Sequence, residues 1–255
     1  QFGRKVIAAL GFDMEAGRLD VAVHPFCSGT SRDDVRLTTR YDADWLPNSL
    51  FSSMHEAGHG MYEQGLPQEA KGVPAGQSIS LGIHESQSRL WENMVGRSRP
   101  FWQHYYPLLQ RAFPGVIDDV DLDIFYAAIN QVEPSFIRVE ADEITYNLHI
   151  ALRFEIEVEL MEGRLKVEEL PEAWNARMQD YLGVTPPDDA QGVLQDVHWS
   201  FGYIGYFPTY ALGNLYAAQF FQQAQKDIPD LVGQISAGQF VGLKQWLNQK
   251  IHAHG

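Results

Sequence analysis

Apolar and polar residues alternate along two short stretches near the start of the chain, then settle into a three-to-four-residue rhythm that runs to its end. Leu19-Asp20-Val21-Ala22-Val23 and Val35-Arg36-Leu37-Thr38-Thr39-Arg40-Tyr41 have the period-two pattern of half-buried strands. The turn-like cluster Gly29-Thr30-Ser31-Arg32-Asp33 lies between them, which predicts a small antiparallel sheet within residues 15–45. From residue 46 onward the rhythm predicts helices. Asn48-Ser49 offers a cap for the first, and Gly65-Leu66-Pro67 ends it. Ser78 or Ser80 caps a second over 81–95, closed by Gly96. Others are expected over 101–112, 122–132, 142–162, 167–182, 207–224 and 241–252, with a break at Pro186-Pro187-Asp188-Asp189. No repeat or low-complexity linker divides the chain. The pattern therefore describes one mainly α-helical domain over 1–255, with a small sheet near its amino terminus.

Composition narrows the partners. A formal net charge of −14 repels phosphates, which argues against nucleic acid and anionic membrane surfaces. No apolar run is long enough to span a bilayer. The single cysteine, Cys27, excludes an internal disulfide framework and fits a reducing, cytoplasmic setting; nothing basic beside it suggests an activated thiolate. The chain opens Gln1-Phe2-Gly3-Arg4-Lys5 without Met, as a processed or partial product would.

The chemistry concentrates in His55-Glu56-Ala57-Gly58-His59, an H-E-x-x-H motif within the first expected helix. Histidines four residues apart project from one helical face and can grip one metal ion. Glu56 adjoins the ion's open side, where a carboxylate can take a proton from water. A catalytic zinc needs a third protein ligand, and the next helix offers two, His84 and Glu85. A di-iron bundle would need a second E-x-x-H element, and Glu56-x-x-His59 is the only one present.

Further strings extend the pattern: His24-Pro25-Phe26, Asp34-Val35-Arg36-Leu37-Thr38, His84-Glu85-Ser86-Gln87, Ile137-Arg138-Val139-Glu140-Ala141-Asp142, Gly192-Val193-Leu194-Gln195-Asp196-Val197-His198-Trp199 and Gly205-Tyr206-Phe207-Pro208-Thr209-Tyr210. With the H-E-x-x-H motif and in this order, they make the chain resemble the C-terminal half of the Taq-type thermostable zinc metallocarboxypeptidases. The resemblance implies a helical zinc-peptidase fold with a groove, and Zn2+ held by His55, His59 and Glu85 with Co2+ as a substitute. It also implies Glu56 as general base, removal of single residues from free peptide C-termini with broad tolerance, and dimerisation. Family members are about twice this length, and their N-terminal half is absent from this chain.

The remaining roles follow from what peptide cleavage requires. An oxyanion needs donors, for which His198 and Tyr206 are candidates and Tyr210 a rival. An exopeptidase must recognise a terminal carboxylate, best done by a guanidinium. Arg138 is the first choice, competing with an ion pair to Glu140 or Asp142; Arg36 and Arg89 are alternatives. The Arg36 strand could instead be an edge that pairs with an extended peptide. Glu155, Glu157 and Glu159 read as a solvated helix face, and His252 and His254 as surface residues. Two other functions compete: an endo-acting zinc oligopeptidase, and an incomplete half that binds peptide or a partner chain.

Overall fold

The computed structural model describes residues 1–42 and 44–255; Ala43, at the junction of the expected sheet and helical region, lies outside the described residues. The chain forms two compact units, Gln1–Ile129 with Gly213–Gly255, and Asn130–Leu212.

The first unit opens with a helix the alternating pattern did not announce, α1 (Phe2–Leu10). It spans little more than two turns, too few for a rhythm to stand out, but Val6, Ile7 and Leu10 are fully buried. Gly11, at φ 108°, ends it in the left-handed conformation that glycine adopts without strain. Strands β1 (Gly17–Val21), β2 (Phe26–Ser31) and β3 (Asp34–Thr39) follow. The two expected strands became β1 and β3, which pair parallel, with Leu19 opposite Leu37; the antiparallel partner of β3 is β2, a strand the alternation did not announce, which takes in Gly29, Thr30 and Ser31 of the expected turn. The expected antiparallel sheet is therefore mixed. The chain runs up, down and up, so its first and third strands point the same way, and β3 inserts between the other two. Arg36 thus lies on the central strand, and the expectation of a free edge for an incoming peptide is overturned.

α2 (Leu46–Gly65) starts ahead of Asn48-Ser49, with Pro47 in its first turn, where a missing N–H costs nothing. Leu50, Met54, Ala57 and Met61 repeat every three or four residues and are buried in one core with α1 and with Val35 and Leu37 of β3. α3 (Leu81–Arg89) is capped by Ser80, whose hydroxyl accepts from Ile83 N–H at 3.2 Å. It continues as a π-helix over Leu90–Gly96. α4 (Arg99–Ala112) and α5 (Leu122–Ile129) follow.

The second unit contains α6 (Tyr146–Met161) and α7 (Leu170–Leu182), which share a core of Leu152, Ile156, Trp174, Met178 and Leu182. α8 (Pro208–Asp227) leads back to the first unit, which ends with α9 (Leu231–Ser236), α10 (Val241–Lys250) and a 3-10 turn, His252–His254. His252 is fully buried rather than on the surface. Gly65 makes the room, because a Cβ there would lie 2.5 Å from the His252 ring. His252 hydrogen-bonds Asn248 and Gln87, both at 2.8 Å; His254 is exposed as expected. No helix among the described residues is long and apolar enough to cross a membrane.

Candidate metal centre

α2 brings His55 and His59 to one face, and α3 brings Glu85 to meet them. His55 Nε2 and His59 Nε2 are 3.2 Å apart, and Glu85 Oε2 lies 3.4 Å from His59 Nε2 and 3.8 Å from His55 Nε2. Ligands at about 2.1 Å around a tetrahedral ion stand about 3.4 Å from one another, so the trio fits a metal. Nitrogen and carboxylate donors of this kind suit a zinc-like divalent ion with a further position open.

Small residues allow the approach. A Cβ at Gly58, inside the motif, would lie 2.5 Å from the Gln87 carbonyl oxygen and 2.6 Å from Ser88 Cα, so only glycine lets α3 sit this close to α2. Gly213 of α8 does the same for Glu85 itself, whose Cγ would lie 2.4 Å from an added Cβ.

The candidate ligands are held from behind. His55 Nδ1 is 2.8 Å from Glu92, and Arg89 donates to Glu85 at 2.8 Å and to Glu92 at 3.3 Å. Arg89, the alternative carboxylate-binding cation, is thus engaged by two acids of the centre. Glu92 and this role of Arg89 went unnoticed in the sequence, although Glu85, Arg89 and Glu92 repeat at helical spacing. His84, the rival ligand, points its Nδ1 at His59 Nδ1, 2.6 Å away, and is not part of the trio.

Environment separates the acids. Burial would raise Glu85 and Glu92, but for Glu85 the positive His55 and Arg89 outweigh it, and for Glu92 Arg89 and His55 do so, holding that carboxyl down at about 2. Glu56, 7% exposed, is pushed up to about 7 by burial. Among the described residues no hydrogen bond holds its carboxylate. Burial takes His59 down to about 4, leaving the neutral imidazole that ligation requires. Cys27 is partly buried, and burial raises its thiol far above the reactive range.

The second unit gathers the other candidates. Arg138, 5% exposed, directs Nε and one terminal nitrogen to Asp196, at 3.1 and 2.6 Å, and the other to the Tyr146 hydroxyl at 2.9 Å. Its acid partner is Asp196 rather than Glu140 or Asp142. Arg153, fully buried, also donates to Asp196 at 2.7 Å and to Gln195 at 2.8 Å. Tyr210 lies beneath the Arg138 guanidinium at 4.7 Å and is 2.9 Å from His198 Nε2; Tyr206 rests 5.1 Å from the His198 ring. Burial lowers His198 to about 4. Arg36, by contrast, is exposed and bound to Asp34 through two hydrogen bonds.

The glutamate trio of α6 does not form one solvated face. Residues two apart point to opposite sides of a helix, and Glu157 is buried, accepting from Trp199 Nε1 at 2.8 Å and Gly205 N–H at 2.6 Å. Glu159 pairs with Arg177 and Glu155 with Tyr181.

Two helix-borne histidines, a carboxylate from the next helix and a buried acid beside the first histidine form a set of donors that could hold a metal ion, the arrangement of the metallopeptidase class. The family model for the carboxypeptidase Taq (M32) metallopeptidases matches residues 1–255, and the chain belongs to that family. It is 51% identical over 255 residues to thermostable carboxypeptidase 1 of Thermus thermophilus, covering 100% of this chain and 50% of that protein. To carboxypeptidase 1 of Bacillus subtilis it is 50% identical over 246 residues, 96% of this chain and 49% of that protein. The solved M32 carboxypeptidase of Deinococcus radiodurans R1 superposes with a TM-score of 0.97 at 44% identity, over 100% of this chain and 51% of that one. The chain spans about half the length of the curated relatives it matches.

Proposed function

We propose that this chain carries the metal centre of a zinc-dependent metallocarboxypeptidase that removes single residues from peptides with a free C-terminus, with broad side-chain tolerance. The convergence of His55, His59 and Glu85 beside an unpaired, buried Glu56 carries the reading. Zinc held there, or cobalt in its place, would supply a Lewis acid for the carbonyl and lower the pKa of water. Glu56 takes the proton of the attacking water and returns it to the leaving amine, a task suited to a buried carboxylate beside the first histidine. Arg89 and Glu92 hold the ligands in place throughout.

Arg138 is our assignment for the substrate's terminal carboxylate. Asp196 takes Nε and one terminal nitrogen of the guanidinium and Tyr146 the other, so among the described residues three of its five N–H groups are engaged and one on each terminal nitrogen remains for a second carboxylate. His198, with Tyr206 or Tyr210, is proposed as a donor to the developing oxyanion. Arg36, tied to Asp34, is the weakest of the substrate candidates. A homodimer and a cytoplasmic setting complete the proposal.

The test is release of the terminal amino acid from an amino-blocked dipeptide by zinc- or cobalt-loaded protein. Release abolished by a chelator supports the proposal; chelation should also lower Tm, because the metal binds the folded state. Cleavage of peptides amidated at the C-terminus would favour the endopeptidase instead. Stoichiometric metal binding without turnover would make this chain an incomplete half.

A further inference from the structure

His55, His59 and Glu63 follow one another at intervals of four along α2, so all three stand on one face. Behind His59 the hydrogen bonds run outward in a line. His59 Nδ1 lies 2.6 Å from His84 Nδ1, and His84 Nε2 lies 2.8 Å from Glu63 Oε1. Two nitrogens that close share a single proton, and its owner can be deduced. A neutral imidazole that gives Nε2 to a metal keeps its proton on Nδ1. His59 is therefore the donor and His84 Nδ1 the acceptor. The proton of His84 then sits on Nε2, where the Glu63 carboxylate accepts it. His55 has no such intermediary, since its Nδ1 meets Glu92 directly.

We propose that His84 and Glu63 are positioning residues of the metal centre, a carboxylate–imidazole relay that fixes the tautomer and ring orientation of His59. The inference rests on the metal-binding reading above. Packing supports it: the His84 ring is 4.7 Å from that of His59 and 5.1 Å from that of Tyr62, which leaves it little freedom to turn. The third ligand and the relay also arrive on consecutive residues, Glu85 and His84, so docking of α3 sets both at once. The two ligand histidines thus have unequal support. The Glu92 side chain behind His55 is 12% exposed and tied to Arg89, whereas Glu63 is 33% exposed. Glu63 can therefore be altered with little risk to the core.

The experiment measures zinc affinity of the protein by competition with a chromogenic chelator, and reads histidine tautomers by long-range proton–nitrogen NMR correlation. His84→Gln should loosen zinc roughly 10–100-fold, and Glu63→Gln roughly tenfold or less. The Tm of the metal-free Glu63→Gln protein should stay at the wild-type value, which separates positioning from a general structural defect. In zinc-loaded wild type, His59 should carry its proton on Nδ1 and His84 on Nε2. Unchanged zinc affinity in both variants, or His84 protonated on Nδ1, overturns the relay and leaves the metal site standing. Wild-type protein that takes up no zinc overturns the metal reading and the relay with it.

Discussion

The metal trio of the first unit and the Arg138–Arg153–Asp196 cluster of the second both bury charged side chains, yet they are assembled by different rules. His55 and His59 are one helical turn apart, and Glu85, Arg89 and Glu92 repeat at helical spacing on the next element. Local geometry aligns each group before the helices meet. The second cluster draws Arg138 from a 3-10 turn, Arg153 from α6, and Gln195 and Asp196 from an irregular segment. Nothing local aligns those groups; only the packing of that unit does. In the first site the donors of His55, His59 and Glu85 converge on one point, with Arg89 bound behind them to Glu85 and Glu92. The second contains its cations and neutralises them with Asp196.

This contrast can be broken in graded ways. The largest effect is expected from Glu56→Gln, which should lower kcat by roughly 10²–10⁴-fold while metal content stays stoichiometric. Retained turnover would remove Glu56 as the base. Asp196→Asn strands two buried guanidinium groups and should destabilise the protein by about 3–5 kcal/mol in urea unfolding, without altering metal stoichiometry. If metal content fell in parallel, the two clusters would not be separable. Gly58→Ala forces a methyl into the backbone of α3; a cost of about 1–3 kcal/mol is expected, together with weaker metal binding, and unaltered binding would refute the close-approach argument.

Acid should weaken the second unit more gradually. Burial, helped by Arg153 and Arg138, lowers His149 to about 3, and burial lowers His198 to about 4. The unfolded chain therefore takes up protons first as the pH falls below about 6.5, and stability present above that value is lost on the way down. Each histidine contributes a slope of up to ~1.4 kcal/mol per pH unit. Asp196 extends the loss. Burial raises its carboxyl, but Arg138 and Arg153 outweigh burial and hold it at about 2, so its stabilisation fades from about pH 4 downward. Unfolding free energy measured from pH 7 to pH 4 should slope less in His149→Gln; an identical slope would exclude His149 as a source.

Much of the first site was legible because a helix converts sequence spacing into spatial alignment. The motif named His55, Glu56 and His59, and the helix beginning at Ser80 offered Glu85 alongside His84. The choice between those two was not local: adjacent helical residues point about 100° apart, and the orientation of α3 against α2 decides which one faces the histidines. Glu92 and Glu63 lie within reach of the same spacing rule, but no motif singles them out. For Arg138 the sequence anticipated an acid partner but looked nearby, at Glu140 and Asp142. The partner, Asp196, is brought in by tertiary packing. His252 was misplaced for the same reason, since its burial depends on the chain returning to Gly65.

By itself the sequence determined the helical character, the strand-forming stretches that became β1 and β3, and the alignment of His55 and His59 on one helical face, because each rests on periodicity within a single element. The tertiary structure alone decided the parallel pairing of β1, the burial of Glu157 and His252, the pairing of Asp196 with two arginines, and the line from His59 through His84 to Glu63. Those features depend on contacts between segments far apart in the chain, and no local pattern encodes which side chains will meet there.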